Sequence, residues 1–192
     1  MTKTAYEFNQ GRVIAAAADL FAKNGYHGTG VAELGEVVGL GRGALYHYIG
    51  SKESLLFAIC SGQVDRMNNR AAEILTLALT PEKLLHEMAR ALLRNIADHR
   101  AEWTVFFREF SALTGERRER VLAARKAYEG HWRRAMDRGV EAGKLKETPP
   151  LLLKGILGML NYTYLWFEPD GPLSPDELAD QFIDALLYGI RA

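Results

Sequence analysis

Apolar side chains recur at intervals of three and four along almost the whole of this 192-residue chain. No stretch alternates with the period of two that a half-buried strand needs. Val31, Leu34, Val37 and Val38 are typical, since their spacing puts them on one face of a helix. This periodicity restricts the chain to an all-α fold. Glycine and proline punctuate it into about nine helices, with no internal repeat and no low-complexity tract.

The punctuation predicts where each helix lies. Thr4 and Glu7 fit a capping box that opens the first, whose apolar positions are Val13, Ala16, Ala17, Leu20 and Phe21. "NGYHG" ends it, and Thr29 is the expected cap of the second. Ser51 is the expected cap of a long helix over 52–77. Thr80-Pro81 starts the next, with proline at the first helical position, where its missing N–H is harmless. Helices follow near 101–114 and 116–143, the latter turning Val121, Tyr128, Trp132, Ala135 and Val140 inward. After "KETPP" a single apolar helix is expected over 151–167. Ser174-Pro175-Asp176-Glu177 then caps a last helix with Leu178, Phe182, Ala185, Leu186 and Ile190 as its stripe.

Composition narrows the function. The formal net charge is +0, so nothing global marks a nucleic-acid binder. Residues 1–54 carry as many acidic as basic side chains, and any DNA surface there must be local. Residues 99–146 hold twelve basic against seven acidic groups, and 147–192 hold two against seven, local excesses of five charges of opposite sign. A lone cysteine, Cys60, allows no disulfide framework and suits a reducing cytoplasm, where it would act as a small buried hydrophobe. "MTKTAYEFNQGR" has no signal-peptide core. The stretch 151–167 is slightly short for a bilayer and carries Lys154, Asn161 and Thr163, so no membrane partner is expected. No H-E-x-x-H, G-x-S-x-G, P-loop or paired-cysteine motif is present, and the histidines at 27, 47, 86, 99 and 131 lack ligand spacing. No catalytic residue, cofactor or metal is expected.

One segment, "EVVGLGRGALYHYIGSKESLL" at 36–56, carries chemistry. Gly39-x-Gly41-x-x-Ala44 fits a loose dinucleotide fingerprint, which requires a strand before the glycines and another about twenty residues on. Helical patterns stand in both places. The alternative is a helix–turn–helix, with Gly39 at a turn where positive φ is needed. On its second helix Leu45, Tyr48 and Ile49 face inward, and Arg42, Gly43, Tyr46 and His47 form one outward surface. Arg42 can donate to phosphate or guanine, Gly43 admits close backbone approach, and Tyr46 and His47 supply further donors. Ser51 and Lys52 open the following helix, whose free N–H groups suit an anion.

"VIAAAADLFAKNGYHGTGVAELGEVVGLGRGALYHYIGSKESLL" resembles the N-terminal domain of the TetR family of bacterial transcription regulators, over about residues 10–57. The resemblance implies a DNA-binding domain at 1–57 and a ligand-binding and dimerisation domain at 58–192. It also implies operator contacts from Thr29, Arg42, Tyr46, His47, Tyr48 and Lys52. Gly35, Val38, Gly41 and Ile49 depart from the usual residues, and Gly35 is expected to loosen its helix by up to about 1 kcal/mol.

Helices 151–167 and 174–191 would pair with their copies in a homodimer, Gly155 and Gly158 permitting close approach. Two recognition helices would then meet a palindromic operator. The tail "NYTYLWFEPDGPLSPDELADQFIDALLYG" resembles family members tied to fatty or steroid acyl-CoA breakdown, which implies a repressor released by a small hydrophobic effector. The expected lining is Trp103, Phe106, Phe107, Phe110, Tyr128, Trp132, Tyr162 and Trp166, with Arg108, Asn161 and Tyr162 orienting the ligand. "RRERVLAARK" and Arg133-Arg134 either meet its phosphates or form a solvated face. The competing reading is a helical DNA-binding or protein-interaction module with no inducer.

Overall fold

Every regular element among the described residues, 5–189 of this computed structural model, is helical. The order is α1 (Ala5–Asn24), α2 (Val31–Val38), α3 (Arg42–Ile49), α4 (Lys52–Leu75) and α5 (Pro81–Asp98). Next come α6 (Arg100–Glu109), a 3-10 turn (Phe110–Ala112) and α7 (Gly115–Glu141). The chain ends with α8 (Pro150–Asn161), α9 (Thr163–Trp166) and α10 (Pro175–Tyr188). The capping box expected at Thr4 and Glu7, and the stripe residue Ile190, lie outside what is described.

The chain divides into two compact units. One joins Met1–Gln63 to Ala101–Leu122, and the other joins Val64–Arg100 to Ala123–Ala192. In the first, α1 buries Val13, Ala17, Ala18 and Phe21, and Leu34, Leu45 and Ile49 come in from α2 and α3. Burial of each large apolar side chain contributes about 1.5–3 kcal/mol. Ala16 and Leu20 are only half-buried. Cys60 is fully buried, and that burial pushes its thiol pKa up to about 12, which makes it the inert hydrophobe expected.

In the second unit α5 and α10 pack side by side. Thr80 caps α5 by accepting from the Lys83 N–H, and Ser174 forms the expected capping box with Glu177. Beside their apolar seam runs a ladder of ion pairs. Arg90 donates to both oxygens of Asp180, Arg94 pairs with Asp176, and the two ring nitrogens of His86 lie 2.9 Å from Asp180 and 3.3 Å from Asp184. Numbers rise on one helix as they fall on the other, so the helices are antiparallel. Trp132 and Ala135 are fully buried on α7, and Ile156, Leu157 and Leu160 are buried on α8.

Several expectations are corrected. The single helix 151–167 is two, because the chain tightens at Tyr162: the Thr163 hydroxyl donates to the Leu160 carbonyl at 2.7 Å, and the Leu165 N–H reaches only back to Tyr162. Val37 is 58% exposed, since the two turns of α2 bury only Leu34 and Gly35. Thr29 does not cap α2. Gly30 occupies the cap position, and the Thr29 hydroxyl donates to the carbonyls of Gly25 at 2.9 Å and Leu20 at 3.3 Å. No helix among the described residues is long and apolar enough to cross a membrane.

Candidate nucleic-acid interface

The turn between α2 and α3 is Gly39–Gly41. Gly39 is left-handed, with φ 70° and ψ 31°, and its N–H returns to the Glu36 carbonyl at 3.2 Å. Glycine adopts this conformation without steric cost. The Leu40 N–H closes the turn onto the Gly35 carbonyl at 2.9 Å. The backbone is so close here that a Cβ on Gly35 would stand 2.8 Å from the Leu40 carbonyl oxygen. Gly35 therefore permits the turn, and the helix-loosening expected of it is the lesser effect. Gly41 then starts α3 from an extended conformation with no side-chain cap.

Leu45 and Ile49 are buried and anchor α3 to the core. Tyr48, expected beside them, is half-buried. Its hydroxyl accepts from Asn9 Nδ2 at 3.4 Å and its carbonyl from Gln10 Nε2 at 3.5 Å, which ties α3 to α1. Arg42, Gly43, Tyr46 and His47 are exposed together. The Arg42 guanidinium lies 5.9 Å from the Tyr46 ring centre, at the outer limit of a cation–π contact.

Lys52 begins α4. Its ammonium sits 4.6 Å from the centre of the Tyr26 ring and donates to the His27 carbonyl at 3.5 Å. Ser51 caps this helix through the Ser54 N–H at 3.0 Å, as expected. A cation thus stands at a helix N-terminus on the chain that follows the recognition helix. The free N–H groups of a helix N-terminus suit an anion. Thr29, by contrast, is 1% exposed and its hydroxyl is already committed to the backbone, so it braces the α1–α2 corner rather than facing outward.

The residues expected to line a ligand site fall in both compact units. Trp103, Phe106, Phe107 and Phe110 form an aromatic cluster in the first unit, with ring centres 5.2–6.3 Å apart along the chain of contacts, while Arg108 is exposed. Tyr128 and Trp132 are buried on α7 in the second unit, and Asn161 ends α8. The Tyr128 hydroxyl, Trp132 Nε1 and the Asn161 side-chain oxygen are buried without an ordinary hydrogen-bond partner. Burial drives the Tyr128 pKa upward, and the nearby Trp132 only tempers the rise. Tyr162 and Trp166, expected inside, are instead exposed.

Sequence spacing missed two groups. The loop residues Tyr26 and His27 hold Lys52, and Arg117 contacts the first turn of α4 from 63 residues away. No local periodicity announces a pairing at that separation.

The chain matches two family models, "Bacterial regulatory proteins, tetR family" over residues 13–59 and "Tetracyclin repressor-like, C-terminal domain" over 78–190. It is 25% identical over 184 residues to the HTH-type transcriptional repressor KstR2 of Mycobacterium tuberculosis, covering 94% of this chain and 92% of the relative. Among solved structures, the TetR family regulator PfmR of Thermus thermophilus superposes with a TM-score of 0.88 at 31% identity, covering 94% of this chain and all of that one. AibR, solved in complex with isovaleryl coenzyme A and operator DNA, superposes with a TM-score of 0.82 at 27% identity, covering 95% and 100%. With its turn at Gly39, its outward α3 face and matches that together span most of its length, the chain belongs to the TetR family of bacterial transcription regulators.

Proposed function

We propose that the chain is one subunit of a cytoplasmic homodimeric repressor that leaves a palindromic operator when an acyl-CoA binds. The observation that carries the reading is the joint exposure of Arg42, Gly43, Tyr46 and His47 on α3, with Lys52 at the start of α4. Arg42 and His47 address base edges, and Tyr46 and Lys52 address phosphates. Tyr48 orients the helix and offers its ring edge at the rim.

Dimerisation is supported by an apolar stripe. Leu152, Gly155, Met159, Tyr162 and Trp166 follow one another at three- and four-residue intervals and are all exposed, as are Leu151 and Leu165. Gly155 and Gly158 have nothing of their own chain within 4 Å of a Cβ position, which leaves them open to a second copy. So large an exposed apolar face is characteristic of an interface. With α10 it makes a four-helix bundle that sets two recognition helices about 34–36 Å apart.

The effector reading is supported by AibR, solved with isovaleryl coenzyme A, and by the buried Asn161 side-chain oxygen, which has no hydrogen-bond partner. A buried donor or acceptor without a partner costs about 1–3 kcal/mol, which a ligand's polar group recovers. Effector and operator then oppose one another with a coupling of about 1–3 kcal/mol.

The test is in vitro selection of bound duplex, followed by titration of His47→Ala/Tyr46→Ala and of acyl-CoAs of increasing chain length. The reading expects the double variant to remain dimeric yet lose the selected duplex, and one acyl-CoA to release the wild-type protein. Undiminished binding by the double variant would remove the α3 assignment. Release by no acyl-CoA would leave the inducer-free module.

A further inference from the structure

Glu53 is out of place in this interface. It directly follows Lys52 and occupies the first turn of α4, where a carboxylate repels the phosphate that Lys52 and the helix N-terminus attract. A second cation answers it. Arg117, in the first turn of α7, brings Nη1 within 3.1 Å of Glu53 Oε2 and donates from Nη2 to Ser54 Oγ at 2.8 Å. Ser54 Oγ in turn lies 2.8 Å from Ser51 Oγ, the atom that caps α4. The same guanidinium stacks 5.9 Å from the centre of the Phe57 ring, one turn further along α4. All these residues belong to the first compact unit.

The contact is poorly suited to a stabilising role. Both side chains of the Arg117–Glu53 pair are 37% exposed, and ion pairs so open to water contribute little to folding. Its field reaches the phosphate site nonetheless. Tyr26, whose ring carries the Lys52 ammonium, has its pKa raised mainly by burial and further by the charge of Glu53, while Arg117 lowers it. Glu53 and Arg117 thus act with opposite sign on the surroundings of Lys52.

We propose that Arg117 is a positioning residue for operator binding: it neutralises Glu53 and holds the Ser51–Ser54 cap, so that Lys52 and the α4 N-terminus meet an anionic backbone as a net positive site. The inference rests on the operator-binding reading and assigns DNA affinity to a residue outside the helix–turn–helix. Arg120 lies over the same Phe57 ring, 5.8 Å from its centre.

The experiment measures the affinity of the full chain for its selected duplex, by fluorescence anisotropy across a salt series. Four proteins are compared: wild type, Arg117→Met, Glu53→Gln and the double variant. Methionine keeps an apolar stem over Phe57 and removes the charge together with the hydrogen bond to Ser54. Arg117→Met should bind about threefold to tenfold more weakly at low salt, with the deficit shrinking as salt rises. Glu53→Gln should bind at least as tightly as wild type, and the double variant should return to within about twofold of it, since the carboxylate that needed an answer is gone. Wild-type affinity in Arg117→Met, or a double variant as weak as Arg117→Met, would overturn the proposal. If Arg117→Met does not fold, Glu53→Gln decides alone, and weakened binding there overturns it. A wild-type protein that selects no duplex defeats the operator-binding reading itself, and this inference falls with it.

Discussion

Arg90 and Asp180 make a two-point ion pair between α5 and α10, with Nε to Oδ1 and Nη2 to Oδ2 both 2.7 Å. Hydrogen bonding to Arg90 holds the Asp180 carboxyl below its usual range despite partial burial, and His86 adds to the effect. A carboxyl with a lowered folded-state pKa stabilises the fold above the unfolded-state value, and that stability is lost as pH falls through the folded one. Asp180→Asn should therefore cost about 1 kcal/mol at pH 7, a modest figure because both partners are nearly a third exposed and Arg90 keeps Glu87 at 2.8 Å. Urea denaturation of both proteins from pH 7 downward should show the gap closing only below about pH 4. A gap that persists unchanged at pH 2 would contradict the ion-pair account.

Gly35 gives a prediction opposite in sign to helix propensity. Alanine in the middle of a free helix would gain about 1 kcal/mol over glycine. Here its Cβ would meet the Leu40 carbonyl at 2.8 Å, in backbone that closes the turn. Gly35→Ala should lower stability by about 1–2 kcal/mol and weaken operator binding by displacing α3. A higher melting temperature would show that the turn relaxes freely.

Lys52 is assigned to phosphate rather than to a base. Lys52→Gln should weaken binding to every duplex in the same proportion and reduce the salt slope by about one per subunit. A change in sequence preference at one operator position would reassign it to base reading.

The exposed stripe on α8 and α9 can be tested without touching the core. Met159 is 38% exposed, so Met159→Lys should leave the helical content of the chain intact. It should shift the protein from dimer to monomer in sedimentation velocity and abolish tight operator binding, which needs two recognition helices. A dimer that survives this substitution, and Trp166→Glu as well, would move the interface elsewhere.

Much of the helix–turn–helix was legible in the sequence because its determinants are local. The turn at Gly39 needs one residue type, and outward Arg42, Tyr46 and His47 follow from helical period once Leu45 and Ile49 are inward. Tyr48 and Thr29 were less legible. Which side of a helix edge is covered depends on neighbours such as Asn9 and Gln10, and Thr29 is buried by the α1–α2 corner that its own hydroxyl braces. The break at Tyr162 was hidden for a related reason: no proline stands within 151–167, and the bond from the Thr163 hydroxyl to the Leu160 carbonyl is one that only the folded chain displays.

The amino-acid order by itself determined that the chain is helical, where most helices begin, and which short stretch forms the exposed face of α3. Those properties follow from periodicity and from conformational limits acting over a turn or two. Tertiary structure alone decided that Gly35 is needed for close approach, that Tyr162 and Trp166 face outward, and that Arg117 meets Glu53 across 64 residues of chain. Contacts of that span arise from the packing of whole helices, and no spacing rule reaches so far.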